Sequence, residues 1–342
     1  MELTEVIKRE HKIMKKNYTL SIVIPARSEM FLKNTVEDIL KNKRGDTEII
    51  VGLDGAWADP PVDQHPDVNI VYYNQSIGQR AMANRCVSLS RAKYVCKMDA
   101  HVAISEGWDV EMVKAMEEVG DNVTMVSIMR NLWVFEWACF ENFCGWTQYQ
   151  GPTPEKCPKC GSSRKIRRRM KWIGKSNPQS TSYCFNSQPH FAYFEDYKHR
   201  PQYIKDKAEK GLTETMSLQG SCFLCTREKY WELDLGGESL GNWGNQGLQI
   251  SCDTWLTGGQ VLVNHRCWYA HMFRTQGGNF GFPWPNSGRE TEKTKNNVKD
   301  LFWKKGHPKQ IRPVSWLVEK FWPVPGWSED DLRRLKETEF KP

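Results

Sequence analysis

The residues best suited to do chemistry lie in the stretch Lys97-Met98-Asp99-Ala100-His101, which closes a short apolar run at residues 92–96. That run reads as a buried strand. An acid and an imidazole two residues apart at the C-terminal end of a strand lie on the same side of the pleat. A carboxylate oxygen and a ring nitrogen can therefore converge on one divalent cation, with other coordination positions left open for phosphate oxygens. The plain alternative is a strand-end acid beside a solvated histidine. A second constellation is Cys139-x4-Cys144-x12-Cys157-Pro-Lys-Cys160-Gly. Four thiolates at this spacing suit a tetrahedral Zn²⁺ site, and the glycine lets backbone amides approach the sulfurs. The first knuckle is irregular, with four intervening residues where two are usual, so Cys184 is an alternative to Cys139 as fourth ligand. Buried cysteines without metal are the competing reading. A closed four-sulfur site leaves no position for substrate, so its role is structural.

The elements that must position these groups alternate in kind. Residues 19–25 (Thr-Leu-Ser-Ile-Val-Ile-Pro) form a β-branched run ended by proline, hence a buried strand, followed by a helical stretch over 30–41. Residues 47–54 make a second such strand with Asp54-Gly55 at its end, and residues 69–73 a third. Ile77-Gly78-Gln79-Arg80 then opens a helix before the Asp99 strand. Strand alternating with helix predicts an α/β fold with a mixed, mostly parallel sheet flanked by helices. Ligands of such sheets bind outside the carboxyl ends of the strands, where Glu29, Asp54, Asp99 and His101 fall. Asp54-Gly55 is also a common turn pair, and Arg80 with Arg85 also suits a solvated helix face.

At 342 residues, 39% hydrophobic and 12% aromatic, the chain is long and apolar enough for a real core, which excludes a disordered protein. Its net charge of +7 is compatible with anionic ligands. The opening 17 residues are charged and do not read as a signal peptide, and no run approaches the roughly 18–20 apolar residues that span a bilayer. The expectation is a soluble cytoplasmic protein (host cytoplasm if viral) with no membrane partner, in which cysteines are buried residues or metal ligands rather than disulfides.

Taken in order, Ile22-Val-Ile-Pro25-Ala-Arg27-Ser-Glu29, Val51-Gly-Leu-Asp54-Gly55, Gly78 with Arg80, and Asp99-Ala-His101 resemble the nucleotide-binding motifs of GT-A fold glycosyltransferases. They are most similar to the family 2 enzymes and to the polypeptide N-acetylgalactosaminyltransferases, which use Asp-x-His. The resemblance implies a UDP-sugar donor and Mn²⁺ (or Mg²⁺). Asp54 would contact the base, and Pro25, Arg27 and Glu29 would line the nucleoside pocket. Arg80 and Gly78 would lie by the sugar or diphosphate, with Met98 beside them. Asp99 and His101 would bind manganese.

Further along, Trp243-Gly-Asn-Gln246-Gly247 resembles the Trp-Gly-Gly-Glu-Asn loop of the same family, and His271-Met-Phe-Arg274 its His-Val-Phe-Arg segment. That implies His271 as third metal ligand, Trp243 at the donor and Arg274 on the departing diphosphate. Where the family has Glu, this chain has Gln246, and an amide cannot act as a general base. Asp253 and Glu238 are the nearest acids in sequence, and Asp253 is carried as a candidate catalytic group. The departure favours a retaining mechanism, in which the diphosphate itself takes the acceptor proton and Gln246 orients hydroxyls.

The expected organisation is a nucleotide-sugar half at 1–130, a zinc-ribbon-like insertion with a basic hairpin at 131–190, an acceptor half at 191–285, and an aromatic extension at 286–342 packing on the core. The hairpin, 165–184, carries Lys165-Ile-Arg-Arg-Arg-Met-Lys171. It is either a solvated edge or a contact to a phosphate backbone. The glycine-containing stretch 272–285 reads as a lid over the donor. A hydroxymethylated base in DNA, of the kind bacteriophage enzymes glycosylate, is the expected acceptor; a protein, lipid-linked or small-molecule acceptor is the alternative. Two other classes compete: a nucleic-acid-binding protein with a decayed transferase site, and a nucleotidyltransferase, against which the Trp243 loop and His271 speak.

Overall fold

A computed structural model describes residues 17–274, 281–282 and 288–342. In chain order the elements begin with β1 (Leu20–Ala26), α1 (Leu32–Asn42), β2 (Thr47–Asp54), β3 (Val68–Tyr73), α2 (Gln79–Leu89), β4 (Tyr94–Met98), β5 (Val102–Ile104) and α3 (Trp108–Val119). A long β6 (Val123–Cys139), β7 (Thr147–Tyr149), β8 (Ile166–Ser180), β9 (Tyr183–Phe185) and β10 (Phe191–Tyr193) follow. The chain then runs through α4 (Pro201–Lys210), β11 (Leu212–Glu214), β12 (Cys222–Thr226), α5 (Arg227–Glu232), α6 (Gln246–Leu256) and β13 (Gln260–His271). The helices α7 (Gly288–Lys299), α8 (Val314–Lys320) and α9 (Glu329–Thr338) complete it.

The main sheet runs β11-β13-β6-β12-β4-β1-β2-β3. β1 pairs in parallel with β2 and β4, β2 with β3, and β13 with β6, while β12 lies antiparallel between β4 and β6. β1, β2 and β4 are buried along their whole length, as continuous apolar runs require of central strands. β3 is half exposed and forms the edge. α1 covers the sheet through Leu32, Val36 and Ile39, a helical spacing. The carboxyl ends of β1, β2 and β4 deliver Pro25, Asp54 and Asp99 to one side of the sheet.

Two expectations are corrected. The nucleotide-sugar half does not end at residue 130: β6 runs without a break from the sheet to Cys139, so that boundary falls inside one strand. The basic segment is not a hairpin over 165–184. β8 pairs instead with the outer part of β6, and Cys184 sits on the separate β9–β10 hairpin, wholly buried in the main core. β13 runs through a bulge between Asn264 and Trp268 to end on His271. The aromatic tail packs on the core through Phe302, Leu317, Phe321 and Trp327, and Ser328 caps α9 in a reciprocal capping box with Asp331.

Candidate active site

A cavity of about 940 Å³ opens at the carboxyl ends of β1, β2 and β4. Its floor is a convergence of three side chains from two strand ends. Asp99 follows β4, His101 lies two residues on, and His271 is the last residue of β13. The three offer ligand atoms that all lie within 4.8 Å of one another. His271 Nε2 stands 3.2 Å and His101 Nε2 3.8 Å from the same oxygen, Oδ2 of Asp99. The other oxygen, Oδ1, bonds the ammonium of Lys97, which is 1% exposed and also donates to the Gly220 carbonyl at 2.9 Å. Asp99 is thereby turned so that one oxygen faces both imidazoles.

Burial alone would raise the Asp99 carboxyl, but Lys97, His271 and His101 outweigh it and hold the group well below the usual carboxylate range. Burial pushes the His271 imidazole down to about 4 against the opposing pull of Asp99. An ionised carboxylate beside a neutral imidazole is the state in which both offer lone pairs to a cation. One carboxylate and two imidazoles with open positions fit a divalent transition ion. Glu29 completes the arrangement. Its Oε2 lies 3.3 Å from His101 Nδ1, and Oε1 accepts a bond from Arg274, 245 residues away. Desolvation would raise Glu29, but His101 and Arg274 prevail and lower it. A carboxylate behind a ligating histidine fixes its ring and raises its basicity.

The walls come from the other strand ends. Pro25, Arg27 and Glu29 line the cavity with Asp54 and Gly78. Asp54 accepts bonds from Ser76 Oγ (2.8 Å), Ile77 N (2.6 Å) and Gly78 N (3.1 Å), so it braces the loop that opens α2. Gly78 has φ +94, and a Cβ there would lie 3.0 Å from Asn242; only glycine fits that close approach without strain. Trp243 forms the facing wall, edge-on to Phe282 at 5.6 Å.

Four sequence expectations find other places. Arg80 is 1% exposed and lies behind the cavity. Its guanidinium bonds the Gly236 carbonyl (3.0 Å), the Gly244 carbonyl (2.8 Å) and Gln249, and burial lowers it to about 10. It ties α2 to the Trp243 loop and is not among the residues lining the cavity. Met98 is wholly buried and in register with Cys222, one residue short of the cavity. Gln246 is buried at the start of α6 and packs its Cβ near Gly220, outside the cavity lining. Asp253 is two turns further along α6, 1% exposed, bonded by Gln249 Nε2 at 3.0 Å, and pushed well up by burial. α6 is buried along its whole length, so Asp253 lies in the core, outside the cavity lining.

Sequence reasoning passed over Gln79, Gln219, Asn242, Phe273, Glu290 and Thr291, all of which line the cavity. Gln79 Nε2 is 3.4 Å from Asp99 Oδ1. Its position next to Gly78 at a helix start was the available signal; Glu290 and Thr291 on α7 carried none. Most of the glycine-containing stretch read as a lid, 275–280 and 283–285, lies outside the described residues.

The four cysteines of the arm also converge. Cys139 Sγ is 3.6 Å from Cys160 Sγ, and Cys144 Sγ 3.6 Å from Cys157 Sγ, with all four inside the same 4.8 Å limit. Cys139, not Cys184, is therefore the fourth member. Desolvation would raise Cys157, but backbone N–H groups of Cys160 and Lys159 bring it down to about 7, toward the thiolate that a metal requires.

Residues 21–170, somewhat under half of the chain, match Glycosyl transferase family 2. The fold resembles the crystal structure of GalNAc-T7 with UDP, GalNAc and Mn²⁺, with a TM-score of 0.59 and 16% sequence identity, over 94% of this chain and 54% of that one. Over residues 21–170 the chain is similar to family 2 glycosyltransferases, and its fold is the GT-A fold. The chain thus spans about half the length of GalNAc-T7. S. aureus TarS 1–349 also aligns, at a TM-score of 0.44 and 11% identity, over 74% of this chain and 60% of that one. No curated protein matches in sequence. On this fold, the Asp99 cluster stands in the cavity at the carboxyl ends of the central strands. Among the described residues, no helix is long and apolar enough to cross a membrane.

Proposed function

We propose that the protein is a metal-dependent glycosyltransferase that moves a sugar from a UDP-sugar to a hydroxyl, and that the hydroxyl belongs to a hydroxymethylated base in DNA. The observation that carries the donor half is the convergence of Asp99, His101 and His271 on the floor of the cavity. These three would hold Mn²⁺ or Mg²⁺, which when bound neutralises charge on the diphosphate as a Lewis acid. Pro25 and Arg27 line the nucleoside end. Asp54, through its bonds to residues 76–78, holds the backbone of that wall in place. Arg274, tethered by Glu29, is set to meet the negative charge that develops on the leaving diphosphate.

The same geometry favours retention. The cavity's interior carboxylates Glu29, Asp54 and Asp99 are each engaged by basic groups or backbone amides. In a front-face reaction the bond from C1 to the diphosphate oxygen breaks and the bond from C1 to the acceptor oxygen forms on the same face. The acceptor proton passes to the departing diphosphate. Glu290 at the cavity wall is the carboxylate that would serve an inverting reaction instead. The anomeric configuration of the product, read by NMR, separates the two, and Glu290→Gln should leave retaining turnover within about threefold. At the arm, Cys139, Cys144, Cys157 and Cys160 would hold a structural Zn²⁺.

The test is a panel of nucleotide-sugars with Mn²⁺ offered to unmodified DNA, hydroxymethylated DNA and a peptide pool, read by mass spectrometry. A hexose or pentose mass gained by hydroxymethylated DNA is expected. Gain on peptide alone would overturn the acceptor. Failure to hydrolyse or transfer from any UDP-sugar would overturn the transferase and leave a nucleic-acid-binding protein with a decayed site.

A further inference from the structure

The outer part of β6 with β7 and β8 forms an arm that leaves the main sheet and is closed at its far end by the four cysteines. Residues 131–180 hold nine Lys and Arg against three acids, a net of +6 where the whole chain carries +7. The positive charge of the molecule is thus concentrated on one element. Two of the three acids are already spent inside the arm: Glu136 pairs with Arg169 and Lys171, and Glu141 with Lys165. Arg164, Arg167 and Arg168 are exposed and have no ion pair to an acid among the described residues.

The cations are interleaved with aromatic rings. Lys175 lies 3.7 Å from the centroid of Tyr149, Lys171 5.4 Å from Trp133, and Arg168 5.0 Å from Phe135, while Tyr149 meets Trp133 edge-on at 5.4 Å. At the cysteine end, Phe143 is fully exposed and held at φ +58, a backbone conformation that non-glycine residues seldom adopt. A bare phenyl ring displayed in this way beside cationic strands suits stacking on, or wedging beside, a base. A polyanion without bases would use the charge and leave the rings idle.

The base of the arm also adjoins the metal end of the cavity. Asn131, where the arm begins, is the register partner of His271 on β13. At its base Trp172 packs 6.0 Å from Phe31, two residues past Glu29. From Asn131 to Cys139 the strand extends about 25 Å at roughly 3.3 Å per residue, the length of some seven stacked base pairs.

We propose that this arm is a nucleic-acid grip, in which Arg164, Arg167, Arg168 and Lys175 contact phosphates and Phe143 contacts a base, holding the strand so that a base reaches the metal end of the cavity. The proposal rests on the reading of DNA as acceptor. Binding of a labelled DNA duplex and of the same sequence single-stranded, with unlabelled polyphosphate as competitor, tests it by fluorescence anisotropy across a salt series. The proteins are the full chain, Arg167→Ala/Arg168→Ala/Lys175→Ala, and Phe143→Ala, each checked for an unchanged melting temperature and unchanged UDP-sugar hydrolysis. Loss of at least tenfold in DNA affinity by the triple variant, with a salt slope shallower by about 2 to 3 for three lost phosphate contacts, is expected. Phe143→Ala should weaken DNA binding with the salt slope kept. Equal DNA affinity in the triple variant overturns the grip even if DNA is still glycosylated. Polyphosphate competing as well as DNA, charge for charge, overturns the nucleic-acid assignment. DNA bound through the arm but never gaining sugar mass leaves the grip standing and removes DNA as acceptor.

Discussion

The molecule holds two clusters of metal-ligand type, and they differ in what surrounds them. Asp99, His101 and His271 mix one oxygen with two nitrogens, are drawn from two strand ends of the main sheet, and face a cavity. Cys139, Cys144, Cys157 and Cys160 are all sulfur, come from the end of β6 and the two turns beyond it, and face one another. The first leaves coordination positions for a substrate; the second uses all four of its own. The first is also braced from behind by Glu29 and Lys97. An open cluster with a second layer of charged partners is arranged for chemistry, and a closed one for holding an arm in shape.

The largest effect that can break this contrast is His271→Ala. It should cut Mn²⁺-dependent UDP-sugar hydrolysis by more than about a hundredfold, beyond the cost of losing an outer-layer partner. It should also weaken Mn²⁺ binding in calorimetry while the circular dichroism spectrum is kept; turnover near wild type at ordinary Mn²⁺ would remove His271 from the site. Next is Lys97→Met, which strips the buried cation from Asp99. A loss on the order of 3 kcal/mol in unfolding free energy is expected, partly recovered by saturating Mn²⁺, which supplies the missing positive charge. Denaturant melts with and without Mn²⁺ read it, and a variant as stable as wild type would show that Asp99 does not depend on Lys97.

Cys157→Ser sharpens the other side. It should speed limited proteolysis within residues 140–165 by about tenfold, as loss of a structural metal loosens the segment it closes, with Mn²⁺-dependent UDP binding within about twofold. Coupled loss of both would mean that the two clusters are not independent. The smallest effect belongs to Asp253→Asn. Buried and held by Gln249, it should change kcat by less than about threefold, within what a side chain off the reaction path contributes; a hundredfold drop would return Asp253 to the catalytic groups.

What the sequence revealed follows the range over which its signals act. Strand-end acids are local features, so Asp54, Asp99 and His101 were legible from apolar runs that end in polar residues. The GT-A sheet was legible for the same reason, since its central strands are buried on both faces and read as unbroken apolar runs. Arg80 was misplaced because a helix start does not reveal which face its side chains take, and its partners lie more than 150 residues away. Asp253 was misplaced for a related reason: proximity in sequence to Gln246 does not reveal that α6 is buried along its whole length. The link from Arg274 through Glu29 to His101 joins three distant segments and has no sequence signature of its own. β6 was cut short because Arg130-Asn131 interrupts its apolar run, and its ladder to β8 is interrupted by bulges.

The most direct test of a metal-held donor is calorimetric titration of UDP into the protein with and without Mn²⁺, repeated on Asp99→Asn. If Asp99, His101 and His271 hold the ion that holds the diphosphate, UDP binds the wild type tightly only with Mn²⁺, and Asp99→Asn loses at least about a hundredfold of that affinity. UDP binding of equal strength in the absence of Mn²⁺, or in Asp99→Asn, would contradict it.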